Sequence, residues 1–242
     1  MSPAPKHTLQ EQEDLILEAA ARCIEASSLL DFTMSAISKE AGLSMGSIYK
    51  HMQSKEDVLV ALGWRSLKQM RESFEKVLSL DMPAATRLLS VQLFCHEKVS
   101  LYSFGPHLEM LLGNEAILQR ASQGWLEKMI KTDISIEQLF QQKIIDAIED
   151  GEFKVEIDDT ATLAEEIVTG LWSIGVGHTQ VMLHRSARNI IGRGVEMTEK
   201  LETNGAIIRS TTRLINSYPW KQPVTEESIE HACQLMQAVG LR

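Results

Sequence analysis

The stretch that decides the fold is residues 33–59, TMSAISKEAGLSMGSIYKHMQSKEDVL. Its apolar residues recur at three- and four-residue spacing, which is typical of helices. Thr33, Ser44 and Ser54 are residue types that favour the amino-terminal cap of a helix, and Gly42 permits the left-handed backbone that ends one. The stretch therefore predicts two short helices joined by a tight turn, followed by the start of a third helix.

This spacing suits a helix-turn-helix, in which the second helix enters the major groove of DNA. Leu43, Ile48 and Met52 are expected to face inward. Hydroxyl, imidazole and ammonium groups on the outer face can bond to phosphates, and a few side chains can read base edges. The outward residues are Met45, Gly46, Ser47, Tyr49, Lys50 and His51. The alternative is an ordinary helical hairpin that binds no DNA.

The same stretch resembles the TetR (tetracycline-repressor) family of bacterial transcription regulators. The resemblance covers about residues 9–62, and beyond them only the helical layout and the size agree. The residues that carry it are Ile37, Ala41, Gly42, Leu43, Ser44, Gly46, Ile48, Tyr49, His51, Ser54, Lys55, Glu56 and Leu59.

The resemblance implies a homodimeric repressor that binds a palindromic DNA operator and leaves it when a small molecule binds. Carried over by position, the DNA-contacting residues are Thr33, Ser44, Met45, Gly46, Ser47, Tyr49, Lys50, His51 and Lys55. Met45 stands where the family often has lysine or arginine, so the operator sequence is not implied by the resemblance.

The predicted fold is all-α, with two domains. A three-helix helix-turn-helix domain spans residues 1–62, a linking helix spans 54–79, and a larger ligand-binding and dimerisation domain spans 80–242. A capping box at Thr8 and Glu11 predicts the start of the first helix. Further helices are expected over 84–103, 106–112, 114–131, 134–149, 158–184, 203–217 and 225–239.

The middle helices contain side chains that could line a ligand pocket. Small-molecule sites are mostly apolar, with a few polar groups that orient the ligand. The candidate contacts for a small, largely apolar effector are Phe94, Leu101, Tyr102, Phe104, Leu108, Met110, Leu111, Trp125, Met129, Phe140, Trp172 and His178. For any one of them, a place in the core is the commoner alternative.

Two helices near the carboxyl end carry small and apolar residues on one face. Two such helices from each subunit would form a four-helix interface with two-fold symmetry. The predicted dimer face consists of Leu163, Ile167, Gly170, Leu171, Ile174, Ile207, Thr211 and Leu214. The alternative is that this face packs within one chain.

A loop is predicted over residues 185–200, and it contains Arg185, Arg188 and Arg193. It is expected to be a solvated connection. The alternative is an anchor for a phosphate-bearing effector such as an acyl-CoA.

The charge of the chain limits how it can bind DNA. The 242 residues have a formal net charge of −9. Residues 1–76 hold nine basic and eleven acidic side chains, so most of the negative charge lies beyond them. This balance excludes coating of nucleic acid by bulk positive charge. A small basic face can still bind DNA, and a modest dependence on salt is expected.

Other classes of protein have little support. No nucleophile elbow, phosphate-binding loop, HExxH or dinucleotide glycine fingerprint is present, so neither catalysis nor a cofactor is expected. Cys23, Cys95 and Cys233 lie far apart, which favours neither a disulfide framework nor a metal site. The uncharged run Ile167–Leu183 contains polar residues and three glycines, so a buried helix is favoured over a membrane span.

The amino terminus has no apolar segment typical of a secretory signal, and a cytoplasmic protein is expected. Two rival classes stay open. One is a helical ligand- or protein-binding module that no longer reads DNA, and the other is an enzyme built on a helical scaffold.

Overall fold

The computed structural model describes residues 8–156, 158–194 and 201–242. No β-strand is found among these residues, and the predicted all-α fold is confirmed. Two 3-10 turns occur, at Val91–Leu93 and Arg188–Ile191. The helices are α1 Leu9–Ala26, α2 Met34–Ala41, α3 Met45–His51, α4 Lys55–Leu78, α5 Ala84–Ser90, α6 His96–Val99, α7 Gly105–Leu112, α8 Glu115–Leu118, α9 Gln123–Glu149, α10 Thr160–Ala187, α11 Ala206–Asn216 and α12 Glu226–Ala238.

The predicted ends of the first three helices are confirmed. The Glu11 amide donates to Thr8 Oγ1 at 3.2 Å, and the Thr8 amide donates to Glu11 Oε2 at 2.7 Å, which completes a capping box. The side chains of Thr33 and Ser44 accept hydrogen bonds from the first turns of α2 and α3. Gly42 ends α2 in the left-handed region, at φ 64°.

The prediction of one helix over residues 84–103 is wrong. α5 ends at Ser90, and the backbone is extended at Cys95, with φ −81° and ψ 116°. The Cys95 amide donates to the carbonyl oxygen of Leu241 at 3.0 Å. A 3-10 turn follows α5 at Val91–Leu93, and because the tertiary hydrogen bond at Cys95 replaces a helical one, the α-helical path resumes only at α6.

The predicted break at Asp133, between helices over 114–131 and 134–149, is also wrong. α9 passes through Asp133 without interruption. Aspartate lowers helix propensity by less than about 0.7 kcal/mol. α9 buries Met129 and Phe140, and burying one such side chain stabilises by about 1.5–3 kcal/mol. Packing therefore outweighs the local preference.

The predicted helices over 106–112, 158–184, 203–217 and 225–239 are confirmed to within three residues at each end, as α7, α10, α11 and α12. The predicted loop over 185–200 is partly helical, since α10 continues to Ala187 and a 3-10 turn follows it. The last part of that loop, residues 195–200, lies outside the described residues.

The chain forms two compact units. The amino-terminal unit consists of Met1–Lys68 and Leu101–Thr132, and the carboxy-terminal unit consists of Gln69–Ser100 and Asp133–Arg242. α4 and α9 contribute residues to both. The boundaries of these units differ from those of the predicted domains, because Leu101–Thr132 packs with the helix-turn-helix rather than with the rest of residues 80–242.

The core of the amino-terminal unit joins the helix-turn-helix to α4, α7 and the first turns of α9. Ile48 and Met52 are fully buried and Leu43 is half-buried against them, which confirms their inward orientation. The buried side chains of this core include Ile16, Leu17, Ile37, Ile48, Met52, Val58, Leu62, Tyr102, Leu108, Trp125 and Met129.

Trp220 lies in the core of the carboxy-terminal unit, next to Phe153. Its ring is buried and lies 4.1 Å from the ring of Phe153, and its Nε1 donates to the Ile215 carbonyl at 2.9 Å. Beside this pair, the Lys154 amide donates to the Pro219 carbonyl at 2.7 Å. Phe153 and Lys154 are thus fixed against the turn that follows α11.

Replacing Trp220 with alanine is expected to lower the free energy of unfolding by about 3–5 kcal/mol, because it leaves a large cavity and removes a buried hydrogen bond. Urea denaturation followed by circular dichroism measures the change. Val155, which is 55% exposed, is the control. Alanine at Val155 should change the value by no more than about 0.5 kcal/mol, and equal effects at both sites would contradict the role given to Trp220.

Candidate nucleic-acid interface

The turn between α2 and α3 is closed by Ser38. Its Oγ donates to the Leu43 carbonyl at 2.6 Å, and the Leu43 amide donates to the Ser38 carbonyl at 3.1 Å. The left-handed conformation of Gly42 makes this path possible, because a Cβ would strain it. Ile37 and Ile48 anchor the two helices with no exposed surface. The predicted helix-turn-helix is therefore present and held in one geometry.

The side of α3 turned away from the core is exposed. Met45 is 36% exposed, Tyr49 is 49% exposed, and Lys50 is also at the surface. Ser44 Oγ accepts from the Ser47 amide at 3.1 Å, and the two hydroxyl oxygens lie 3.0 Å apart. The face thus presents hydroxyl, phenol and ammonium groups around one thioether, a mixture suited to phosphates and base edges.

Gly46 is the second residue of α3, and the chain itself does not require glycine there. Its φ is not positive, and a Cβ at this position would meet only Ser44 Oγ, at an ordinary distance of 3.8 Å. The missing side chain instead leaves room outside the protein. Another molecule can approach the backbone of α3 more closely at Gly46 than at any side chain.

Two predicted DNA contacts also have partners within the chain. Thr33 is exposed, and its Oγ1 accepts from the Ala36 amide at 3.1 Å. His51 is half-buried, and its Nε2 lies 3.4 Å from Gln12 Oε1. The hydroxyl of Thr33 remains accessible, whereas the ring of His51 is turned partly towards α1.

Lys55 also has partners within the chain. Its Nζ donates to the Leu30 carbonyl at 3.2 Å and lies 4.7 Å from the centre of the Phe32 ring. An ammonium group has three protons to donate, so contact with a phosphate is still compatible with this position. Lys55 is therefore pre-oriented by the chain, in contrast to the exposed Lys50.

The exposed face is more positive than a count of its charged residues suggests. Glu40 is the one acidic residue within 33–55, and its Oε1 lies 2.7 Å from Arg22 Nε of α1. This ion pair offsets the acidic charge, while Lys39 and Lys50 remain exposed. The helix-turn-helix thus has a small positive surface on a chain that is acidic overall.

Eight of the twelve predicted effector contacts lie in the amino-terminal unit. Their exposure falls into three classes. Tyr102, Leu108, Trp125 and Met129 are buried, Phe104 and Leu111 are half-buried, and Leu101 and Met110 are exposed. The buried four share one core with α1, α3 and α4. A molecule that displaced them would therefore disturb the core on which the exposed face of α3 depends.

The other four lie in the carboxy-terminal unit. Phe94 and Phe140 both pack on Phe74, with ring centres 5.8 Å and 5.0 Å from it. Trp172 is 52% exposed. Burial lowers the pKa of His178, so its imidazole is neutral at pH 7 and offers one donor and one acceptor. Phe94 and Phe140 therefore belong to one aromatic group around Phe74.

The predicted dimer face is largely used within the chain. Four of its members are buried, namely Ile167, Leu171, Ile207 and Thr211, and four are half-buried, namely Leu163, Gly170, Ile174 and Leu214. α10 and α11 pack closely here, since a Cβ on Gly170 would lie 3.0 Å from Leu214 Cδ2. The buried four are therefore not available to a second copy. The exposed apolar residues of α10 are Trp172, Val176 and Val181.

The sequence did not indicate how α9 contacts the helix-turn-helix. Asp57 accepts a hydrogen bond from the Ser122 amide, and Trp125 donates one to the His51 carbonyl. The partners are 65 and 74 residues apart in sequence. No local pattern in the sequence signals a partner at that separation.

A helix-turn-helix with an exposed, polar and basic second helix defines a DNA-binding protein. Residues 16–62 match the family model described as "Bacterial regulatory proteins, tetR family". The amino-terminal domain of the chain thus resembles the DNA-binding domain of tetR-family transcription regulators.

Solved structures of transcriptional regulators share this fold. A regulator from Saccharomonospora viridis in complex with choline is 18% identical, with a TM-score of 0.58 over 88% of this chain and 100% of that one. A TetR regulator from Haloarcula marismortui is 19% identical, with a TM-score of 0.59 over 86% and 98%. A TetR-family regulator from Cytophaga hutchinsonii is 15% identical, with a TM-score of 0.60 over 90% and 100%. At such identities the likeness concerns the fold.

No curated protein sequence matches the chain. Within residues 8–156, 158–194 and 201–242, no helix is long and apolar enough to cross a membrane. The same residues contain no group of three or more His, Cys, Asp or Glu side chains placed to hold a metal ion.

Replacing Gly46 with alanine should weaken operator binding by about tenfold or more, because the added methyl group would meet the DNA. The free energy of unfolding should stay the same or rise by up to about 1 kcal/mol, since alanine favours helices. Fluorescence anisotropy with an operator duplex and urea denaturation measure the two effects.

The matched control is Gly124→Ala. Gly124 is the second residue of α9, and a Cβ there would meet nothing within 4 Å. This variant should bind the operator as the unmodified chain does. If Gly46→Ala also bound with unchanged affinity, close approach of DNA at Gly46 would be ruled out.

Proposed function

We propose that the protein is a homodimeric repressor that binds a palindromic operator and releases it when a small, largely apolar effector binds. The observation that carries the proposal is the exposed face of α3, which is polar, basic and free of side-chain bulk at Gly46. In a two-fold dimer, each α3 would enter the major groove of one half-site. The half-sites would lie about 34–36 Å apart, or a multiple of that distance.

The residues of the face divide between positioning and reading. Tyr49, Lys50 and Lys55 are proposed to contact phosphates, which set affinity and register. Ser44 and Ser47, at the amino end of α3, are proposed to reach base edges or phosphates. Met45 favours the methyl group of thymine, because an apolar side chain gains most from that contact in the major groove. Thr33 and His51 add donors at the edges of the face.

The proposed dimer face is the exposed side of α10. Trp172 and Val176, one turn apart on one side of this helix, are large apolar residues that are 52% and 41% exposed in the single chain. Leu163 and Ile174 are half-buried on the same helix, but with 3.6 residues per turn they lie on the opposite side from Trp172, on the face that carries Ile167 and Leu171. Apolar side chains of this size gain from burial against a second copy, and a two-fold axis through α10 would pair like with like.

The effector is proposed to act through the side chains within residues 101–129, above all Tyr102, Phe104 and Leu108. They share a core with α3 or pack against it. A ligand can release the operator only if it binds one arrangement of this core more tightly than another. The Saccharomonospora viridis regulator, which has a similar fold, was crystallised with choline, so a fold of this kind can hold a small molecule.

Selection from a library of random DNA duplexes tests the proposed function. The full chain is expected to enrich a palindromic sequence at moderate salt, and sedimentation of the complex should give two chains or a multiple of two per duplex. Enrichment of no sequence would overturn operator binding. That outcome would favour the rival class, a helical ligand- or protein-binding module that no longer reads DNA.

Replacing Lys50 with glutamine should weaken binding to all duplexes to a similar extent, because a phosphate contact carries no sequence information. The slope of log affinity against log salt concentration should fall in magnitude by about 1.8, because each of the two subunits loses one phosphate contact that contributes about 0.9. Lys221→Gln, an exposed site in the carboxy-terminal unit, is the control and should leave the slope unchanged. A change in sequence preference without a change in slope would contradict the phosphate assignment.

A further inference from the structure

A buried carboxylate connects the helix-turn-helix to the start of α9. Asp57 has no exposed surface. Its Oδ2 accepts from the Gln53 amide at 2.7 Å, and its Oδ1 accepts from the Ser122 amide at 2.6 Å. Gln53 lies between α3 and α4, and Ser122 directly precedes α9. A single side chain therefore ties the junction after the reading helix to a segment 65 residues further along the chain.

A second connection reaches the reading helix itself. Trp125 is buried in the first turn of α9, and its Nε1 donates to the carbonyl oxygen of His51 at 3.0 Å. His51 is the last residue of α3. The last carbonyl groups of a helix have no partner within it. Trp125 thus caps the carboxyl end of α3 from outside the helix-turn-helix.

Lys128 lies about one turn after Trp125 on α9 and adds a third connection. Its Nζ lies 3.9 Å from the centre of the Trp125 ring and 5.0 Å from that of Trp64 on α4. It also lies 3.4 Å from Glu13 Oε1 on α1. Attraction of a cation to two aromatic faces and one carboxylate holds α1, α4 and α9 together. We call Asp57, Trp125 and Lys128 the α9 clamp.

Close packing next to the clamp leaves little freedom. A Cβ built on Gly63 of α4 would overlap Leu112 Cδ1 of α7. Glu56 and Arg120 add an ion pair at 3.6 Å between the first turn of α4 and the segment before α9. α4 is thus contacted by α7, by the segment before α9 and by α9 itself.

We propose that Asp57 and Trp125 are positioning residues, and that the start of α9 sets the orientation of α3 towards DNA. α3 has seven residues, and its amino end and outer face are exposed. The turn closed by Ser38 and the burial of Ile48 hold its amino end and inner face, so its orientation also depends on what holds its carboxyl end. Two of the clamp's hydrogen bonds, those with Gln53 and His51, act there, and Asp57 and Trp125 are both buried. The inference rests on the proposed binding of an operator.

A buried charge is a poor way to gain stability alone. Apolar residues of similar volume often stabilise a core as well as a buried ionic group does. A carboxylate instead fixes the positions of the two amides that donate to it. Asp57 is thus suited to orienting the junction after α3, and an amide in its place could accept from only one of the two donors.

The test compares variants of the full chain that lose similar interactions in different units. Asp57→Asn removes one acceptor at the clamp. Its control is Glu152→Gln, because Glu152 accepts from the Ala84 amide at 2.8 Å in the carboxy-terminal unit. Trp125→Phe removes the donor to His51. Its control is Trp220→Phe, which removes the donor to Ile215.

Affinity for the duplex selected by the unmodified chain is measured where circular dichroism shows every variant to be folded. Asp57→Asn and Trp125→Phe should each weaken binding about tenfold or more, which is roughly 1.4 kcal/mol. Glu152→Gln and Trp220→Phe should bind within about twofold of the unmodified chain, whatever their melting temperatures. Clamp variants that bind like their controls would overturn the inference. If one clamp variant does not fold, the other decides.

Amide hydrogen exchange gives a readout that needs no DNA. In both clamp variants, amides of residues 48–52 should exchange about tenfold faster than in the controls, because the carboxyl end of α3 opens more often. Unchanged exchange there would overturn the inference even if no duplex is selected. An unmodified chain that selects no duplex but shows the faster exchange in its variants would instead refute the proposed function alone.

Discussion

Burial of one side of α3 is the constraint on which the other features of the interface depend. A helix of seven residues does not persist alone in water. α3 exists because Ile48 and the adjoining Met52 have no exposed surface and belong to the core of the amino-terminal unit. The same packing turns Tyr49 and Lys50 outward. The position of every proposed DNA contact on α3 is therefore a consequence of the apolar core beneath it.

That core is not confined to the helix-turn-helix. Leu108, Trp125 and Met129 contribute to it from residues 101–132, and Asp57 adds hydrogen bonds to the same segment. In consequence, a change among these side chains alters the support of α3 without any change in the DNA-contacting residues. The chain can thus be acidic overall and still bind DNA, because affinity depends on a small basic face. The core beneath α3 fixes the geometry of that face.

The helix-turn-helix could be predicted in detail because its signals are local. Helix caps at Thr33 and Ser44, the left-handed Gly42 and the inward Ile48 each act over a few residues, and the structure confirms them. The break at Cys95 could not be predicted, because it depends on a hydrogen bond to Leu241, which is distant in sequence.

Contacts between residues distant in sequence also explain why the partner of the α10 face and the role of Trp125 could not be predicted. The apolar periodicity of α10 indicated a buried face, but periodicity does not say whether the chain or a second copy covers it. The structure buries Ile167 and Leu171 within one chain and leaves Trp172 exposed. Likewise, Trp125 was a candidate for an effector contact by residue type, whereas its hydrogen bond to His51 places it beneath the reading helix.

Methylation protection of the selected duplex tests most directly whether α3 reads DNA from the major groove. Dimethyl sulfate modifies the guanine N7 atom in the major groove and the adenine N3 atom in the minor groove. The proposed geometry predicts protection of guanines in two major-groove segments about one helical turn, or a multiple, apart. Protection confined to adenine N3, or no protection by a chain that still binds the duplex, would contradict it.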